Sequence, residues 1–467
     1  MAVGDSNLFF NRDTKVYAVQ PTAVGASTFN VWEVPVLQGY SYSQSTNASQ
    51  VTLNEMSDAT GRSRRGQRSF NDSLAPAEWS FDTYARPTLA TVVRAPEEFL
   101  WHSLLTESYF DPAAGRVAGI TVTGWSYVGS VITLTVASHP FKLGDYATVA
   151  GLTATTNAPN GEFQVTALTG TTISFVAAVA PTGTAGVASA KVTSLSYSAT
   201  ATALDYFPRN SNKTTLATFD LYFVLGGYKW ISENGTPNFT ASDQTTIYKI
   251  EDCVVNEATM NFEIDGIATV SWSGMGKVIS EVAAINFTNS GTYTLITNGV
   301  AATSNMIRNR LTALTLQGIA PAGVAKTYGI TLTGGSITIS NNISFLTPEV
   351  LGVVNVPLGH VVGTRTVSGS FTCYMDEATG GSIDLYQDLL GATTAVTNKF
   401  NLQFFVGGKA AGGTSPVGPG IMFDMGQCHL EVPSVNIDDV IGLEVNFTAL
   451  PSTISGTDEL TKIRYVA

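Results

Sequence analysis

The sequence predicts a mainly β protein: two tandem barrel- or sandwich-type β domains, each flanked by a helix, with a small all-β domain inserted in the first. Three observations carry this reading. Apolar residues alternate with period two along most of the chain, an ordered set of landmarks occurs twice, and one nearly uncharged stretch interrupts the first set.

The strands come first. SVITLTVAS (130–138), TTISFVA (171–177), TMNFEIDGIATVSWSG (259–274) and YGITLTGGSITIS (328–340) alternate apolar and polar positions and are rich in Val, Ile, Thr and aromatics. Such residues suit a pleated surface with one buried face, and the Gly and Asn clusters between them mark turns. Helix signals are confined to APEEFLWHSLLTES (95–108) and GGSIDLYQDLLGAT (380–393). Each has polar starters followed by apolar residues three and four apart.

The two helices sit in matching surroundings. SFDTY (80–84) precedes the first and SFTCY (370–374) the second, and WHSLL (101–105) aligns with YQDLL (386–390). DLYFVLGG (220–227) follows one helix and NLQFFVGG (401–408) the other, after which Cys253 and Cys428 open comparable strands. Four matches in one order imply a tandem duplication.

Spacing then exposes an insertion. Leu105 and Asp220 are 115 residues apart, whereas Leu390 and Asn401 are 11 apart. The surplus lies mainly at 117–193, whose only charges are Lys142, Asp145, Glu162 and Lys191. The expected organisation is a first repeat of 1–116 plus 195–290, an inserted domain at 117–194, and a second repeat at 291–467. The ends of the insert should lie close together, because it replaces a short connection.

Composition narrows the function. Charged residues are 13% of the 467, about half the ~25% of an ordinary soluble domain. Hydrophobic content of 44% argues against disorder. A net charge of −12, from 24 Lys+Arg against 36 Asp+Glu, makes a poor grip on phosphates. The N-terminal MAVGDSNLFFNRDTK has no basic, apolar and small-residue succession, so no signal peptide is expected. The apolar run at 173–190 is broken by Pro181 and falls short of the ~20 residues a membrane span needs. Cys253, Cys373 and Cys428 form no CxxC pair and are expected to be reduced.

Catalytic patterns are missing from the sequence. It has no GxSxG, HExxH, P-loop or EF-hand spacing, and His102, His139, His360 and His429 are far apart. No catalytic, cofactor or metal residue is assigned, and the chain is not expected to be an enzyme. Glu97 and Glu98 fall in a helix's first turn, where the macrodipole favours carboxylates.

Two charge features stand out. The first is the basic run Arg62, Arg64, Arg65 and Arg68, followed by Asn71 and Asp72. It suits either a solvated loop or a loop that docks on an acidic surface of another subunit, since Arg forks match carboxylates. The second is acidic: Glu251, Asp252, Glu257, Glu263 and Asp265 in the first half, with Glu431, Asp438, Asp439 and Glu444 in the second. A solvated face and an acidic wall explain it equally well.

GRSRRGQRSFNDSLAPAEWSFDTY (61–84), IATVSWSGMG (267–276), GGSITISNNISFLTPEV (334–350) and DDVIGLEVNFTALPS (438–452) resemble the major tail tube proteins of tequintavirus-type siphophages. The resemblance covers nearly the whole chain apart from the insert. It implies two fused copies of the tail-tube fold, homotrimer rings of six similar units, and stacked rings that form a conduit for DNA. It also implies residence in the virion tail after assembly in the host cytoplasm. The tape-measure, tail terminator and distal tail proteins would be partners, viral DNA would transit without specific binding, and no membrane would be involved. Glu257, Glu263, Asp438 and Glu444 become candidates to face the lumen. Arg62, Arg64, Arg65, Arg68, Asn71 and Asp72 become candidates for an inter-ring or subunit contact, with 47–70 and 341–363 as the long loops reaching an adjacent ring. One member of that family carries an immunoglobulin-like domain after the second repeat, whereas here the extra domain is expected to interrupt the first. The insert's SHPFKLGDYATVAG, NGEFQVTAL and TTISF resemble a small β module of phage virion proteins.

A second reading is a glycan-binding or adhesin-like tail decoration protein, with Trp125, Tyr127 and Tyr146 of the insert as stacking residues, buried core being the other reading of all three. On the leading reading, Arg64→Glu with Arg65→Glu should block self-assembly and leave the chain folded. Electron microscopy beside a circular-dichroism melt checks this, and unchanged polymerisation would count against a docking loop.

Overall fold

The computed structural model describes every residue except 1–13, 22–27, 52–59, 61–67, 90–91, 107–119, 140, 142–145, 178, 183–185, 188, 195–196, 200–201, 209–215, 226–238, 241–245, 283, 286–291, 297–304, 320–324, 349, 352–353, 392–398, 409–417, 438, 452–455 and 457. The protein is mainly β, with two α-helices and one short 3₁₀ turn among the described residues. Among the described residues the strands form a twenty-stranded sheet system, a separate seven-stranded sheet and four two-stranded pairs.

Eight strands of the large system make a continuous antiparallel wall. They are β1 (Ser41–Ser43), β2 (Ala77–Tyr84), β3 (Thr246–Glu263), β4 (Thr269–Gly276), β5 (Leu332–Ser340), β6 (Thr366–Tyr374), β7 (Ser434–Ile437) and β8 (Ile441–Ala449). Their order across the wall is β1-β2-β4-β3-β5-β6-β8-β7. The first four strands and the last four therefore repeat one order. The joint between them pairs the end of β3 with β5, from Glu257 opposite Ser340 to Glu263 opposite Gly334.

A second layer repeats in the same way. In the first half, Thr28–Val34, Lys15–Pro21, Phe219–Leu225, the start of β3 and Ile279–Val282 pair in that order. In the second half, Ala325–Tyr328, Ala313–Ile319, Phe400–Val406, Gly420–Leu430 and Lys462–Val466 do so. β3 runs through both layers as one 18-residue strand. Its counterpart is split in two, because Pro433 lacks the N–H a strand interior needs.

One hydrophobic core spans both halves, with Phe99, Trp101 and Trp272 of the first and Phe371, Phe423 and Phe447 of the second all buried in it. Phe262 packs against Phe404 across the joint, with centroids 5.5 Å apart and the rings tilted at 48°. Small residues make room for these rings. Gly274, Gly335 and Gly369 lie under Trp79, Phe262 and Phe447 respectively, so a Cβ at any of them would overlap an aromatic ring and a backbone oxygen.

The helices take different environments. α1 (Glu98–Leu105) is buried at all eight residues. α2 (Ser382–Gly391) buries only Ser382, Leu385 and Leu389. Its start is held by Ser382 Oγ, which donates to the Tyr374 carbonyl at 2.7 Å, and by Asp384, which accepts from Gly380 N–H at 2.8 Å.

A clasp beside α1 ties the C-terminal strand to the first half. Leu204–Tyr206 pairs with Ile463–Tyr465, and Arg464 forks onto Asp205 at 2.6 and 2.7 Å. Trp101 Nε1 donates to Tyr465 Oη at 2.7 Å, and that hydroxyl donates to Glu97 Oε1 at 2.6 Å. Burial pushes the Glu97 carboxyl up to about 7, against an ordinary 4.5, and its other oxygen has no hydrogen-bond partner among the described residues. Burial pushes His102, one turn along, down to about 3.

The residues between Ile120 and Ser194 form the seven-stranded sheet, which shares no strand with the wall. They have their own apolar cluster around Val122, Ile132, Leu134, Phe141 and Phe175. Ile120–Val128 turns into Val131–Val136 through Gly129 and Ser130, both at positive φ (58° and 72°), the pattern of a type I′ hairpin. The first and last strands meet, with Val192 opposite Ile120, so the two ends lie side by side.

Two outcomes follow from this packing. Gly369→Ala should destabilise the fold by about 1–3 kcal/mol, read by denaturant unfolding, because the rigid wall must absorb the overlap. Glu97 is neutral in the fold at pH values where the unfolded chain has already lost its proton. Its contribution is thus complete below about 4.5 and is lost as pH rises through about 7. Glu97→Gln should accordingly gain melting temperature relative to the parent as pH rises across that window. A constant difference between the two would contradict the assignment.

Candidate functional site

Residues opposite one another in register share a sheet face, so the face of the wall turned away from the core can be read row by row. One row holds Ser41, Ser80, Ser273, Glu257, Ser340 and Thr366. The next holds Asp82, Ser271, Thr259, Thr338, Ser368 and Thr448. A third holds Tyr84, Thr269, Asn261, Ser336, Ser370 and Asn446. A fourth holds Glu263, Gly334, Thr372, Glu444 and Ser434. Trp79, Phe81, Met260, Phe262, Val270, Trp272, Phe371 and Val445 alternate with these residues and fill the core.

The polar face is built from hydroxyls and amides. Ser41 and Ser80 share a hydrogen bond of 2.8 Å, and Thr259 and Thr338 share one of 3.0 Å across the joint. Among the described residues at its paired positions the charges are all of one sign. Glu78, Asp82, Glu257, Glu263 and Glu444 lie on it, Glu431 reaches it by accepting from Asn446 Nδ2 at 3.1 Å, and no Lys or Arg occupies any of the paired positions. His429, opposite Thr448, is its one imidazole among the paired positions.

The wall has two open edges. β1 pairs only with β2, and β7 only with β8, among the described residues. All four residues of β7 are exposed, including Val435 at 40% and Ile437 at 78% on the core side of the sheet. Register assigns their counterparts in the other half. Ser434 faces Glu444 as Thr259 faces Ser271, so Val435 and Ile437 stand where Met260 and Phe262 stand. Those two are 1% and 2% exposed, being covered across the joint by the second half.

The long connections β1–β2 and β5–β6 leave the same end of the wall and clasp each other. Thr46–Val51 pairs with Arg68–Leu74, Ser344–Leu346 pairs with Gly359–Val361, and Leu74 N–H donates to the Asn355 carbonyl at 2.8 Å. Their outer surface is apolar: Phe70, Leu346, Val350, Leu351, Val354 and Leu358 are each more than half exposed.

The structure treats the sequence candidates unevenly. It brings Glu257, Glu263 and Glu444 onto the one polar face, while Asp438 lies outside the described residues. Arg62, Arg64 and Arg65 also lie outside them; Arg68 opens a hairpin strand opposite Val51. Asn71 and Asp72 are exposed on that strand, with Asp72 accepting from Ser49 Oγ. Glu251 and Asp252 belong elsewhere, paired with Lys249 and Lys277. Sequence reasoning missed Glu78 and Asp82, although their alternation with Trp79 and Phe81 in AEWSFDTY carried the signal. It also missed the exposed Val435 and Ile437, which no local pattern separates from core residues.

Other chemistry finds little support. Burial raises the thiols of Cys373 and Cys428 to about 11 and about 12, and that of Cys253 well above its ordinary value. No group of metal-ligating side chains occurs among the described residues, and no described helix is long and apolar enough to cross a membrane. In the insert, Trp125 and Tyr127 pack against its own core, with Trp125 Nε1 donating to the Gly186 carbonyl at 3.3 Å. The side chain of Tyr146 lies outside the described residues.

The phage tail tube protein family profile matches residues 217–449, which include β3 to β8 and α2. The chain is also 28% identical over 459 residues to the tail tube protein pb6 of Escherichia phage T5, covering 96% of this chain and 74% of that protein. The β-rich wall, the two open edges and these matches agree on a structural component of the virion tail that assembles with itself. The chain belongs to the phage tail tube protein family.

Proposed function

We propose that the chain is a duplicated tube unit that closes into three-chain rings of six similar domains, and that these rings stack into the conduit for DNA ejection. One observation carries the ring: the joint between β3 and β5 is used once within the chain, and both of its halves recur unpaired at the outer edges. The β7 edge of one copy has the β1 edge of the next as its partner, and the exposed Val435 and Ile437 then gain the cover that Met260 and Phe262 already have. Such a contact is head-to-tail and closes when the rotation per repeat divides a circle. Pairing every edge also removes the aggregation hazard that an open strand presents. The count of three rests on the resemblance to duplicated tail tube proteins.

The polar face of the wall becomes the lumen. Large barrels leave a water-filled channel, and this one is lined by hydroxyls and by carboxylates with no opposing cation on the paired positions. Phosphates passing within a Debye length of ~8 Å are repelled, so DNA slides rather than binds. The insert decorates the outside, and the tape-measure, terminator and distal tail proteins meet the tube at its axis and ends.

Register gives a direct test. Asn261 faces Ser336 inside the chain, so Asn436 of one copy should face Ser41 of the next, with Cβ atoms ~5 Å apart. The double variant Ser41→Cys, Asn436→Cys, oxidised after assembly, should run as a covalent trimer on a non-reducing gel. A ladder extending past three chains would rule out the three-chain ring, and monomers alone would rule out the seam.

A further inference from the structure

We propose that His360 is a pH-sensitive latch that straps the second half of the chain onto the first. Its imidazole holds the hairpin of Ser344–Leu346 and Gly359–Val361 against the segment leading into Phe219–Leu225, and a proton on Nε2 releases it. The device lies within one chain and does not depend on the ring reading.

The geometry fixes the state of the latched ring. Leu216 N–H donates to His360 Nε2 at 2.9 Å. A nitrogen that accepts carries no proton, so the imidazole is neutral with its hydrogen on Nδ1. The imidazolium carries an N–H at both nitrogens, and its Nε2–H would meet the Leu216 N–H donor to donor.

The latch bridges the two halves. His360 lies between β5 and β6, whereas Leu216 belongs to the first half, where the next amide, Ala217 N–H, donates to the Thr106 carbonyl just past α1 at 3.2 Å. A small apolar cluster separate from the main core backs the bond, with Leu216, Val254 and Ile343 buried and Phe345 and Val362 packed on them. Phe345 stands opposite His360 in the hairpin, with ring centroids 6.1 Å apart. The segment entering the hairpin is anchored independently. Ile343 N–H donates to Asn256 Oδ1 at 2.9 Å, and Asn341 Nδ2 donates to the Leu104 carbonyl at 2.8 Å. These amides do not titrate, so acid loosens the His360 side alone.

Burial holds the His360 imidazole below its ordinary 6.5. Among the described residues two charges act on it: Asp252 in β3 favours the cation, and Lys277, just past β4, opposes it. They pair with each other, Nζ to Oδ2, at 2.5 Å. The cluster residues around the ring carry no charge. A released imidazole titrates at the ordinary 6.5 and the latched one lower, so the latch is complete above about 6.5. Below that value it weakens by up to about tenfold per pH unit, until the latched ring itself takes up a proton.

Hydrogen exchange of the full chain, read by mass spectrometry and corrected for intrinsic pH dependence, tests this. Protection of the Leu216 amide should fall by up to about tenfold per pH unit from about pH 6.5 downward, while that of Ile343 stays constant. His360→Gln, whose amide oxygen accepts without titrating, should keep Leu216 protected throughout. If that variant latches at no pH, the neighbours decide: Lys277→Gln should raise the midpoint of release and Asp252→Asn should lower it. Leu216 protection that ignores pH, release that survives in His360→Gln, equal loss at Ile343, or a midpoint that neither neighbour moves would overturn the latch.

Discussion

An antiparallel ladder cannot end without leaving donors and acceptors unpaired, and that constraint organises the protein. The end of β3 and β5 satisfy each other across the joint, with Thr259 and Thr338 hydrogen-bonded on one face and Phe262 covered by Phe404 on the other. The joint welds two similar halves into one wall and lets one core run through both. The clasp of Trp101, Tyr465 and Glu97 repeats the weld in the outer layer, so the halves cannot separate without opening two ladders.

The wall keeps its two faces distinct by an unusual choice of residues. The core face packs Trp and Phe rings over glycines, which brings strands and rings into close contact but tolerates no added methyl. The opposite face uses Ser, Thr and Asn where a soluble sheet would alternate lysine with glutamate. Hydroxyls pair across strands at short range and carry no charge. The net field is therefore set by a few unopposed carboxylates and not by a balanced ionic surface. This face contributes to the low charge content of the whole chain.

Much of this organisation was legible. Alternation in 259–274 and 328–340 revealed the wall strands, and the polar starters of 95–108 and 380–393 marked both helices. The landmarks SFDTY and SFTCY turned out to be β2 and β6, occupying the same place in the strand order. Glu257, Glu263 and Glu444 could be grouped because period-two spacing puts each on the polar side of its strand. Glu251 and Asp252 were grouped with them for proximity alone. Asp252 has φ of 48° and the ladder shifts register nearby, so alternation does not carry through to them.

The chain's residues by themselves determined the strand periodicity, the order in which similar landmarks recur and the sign of its charge, because each is a property of local order along the sequence. Only the tertiary structure decided that the polar sides of eight strands form one face, that the inner joint recurs as two open edges, and that Ile437 is exposed where Phe262 is buried. Those facts depend on register between segments far apart in the chain. A shift of one residue would turn every side chain to the other face, and no local pattern encodes which register the packed core selects.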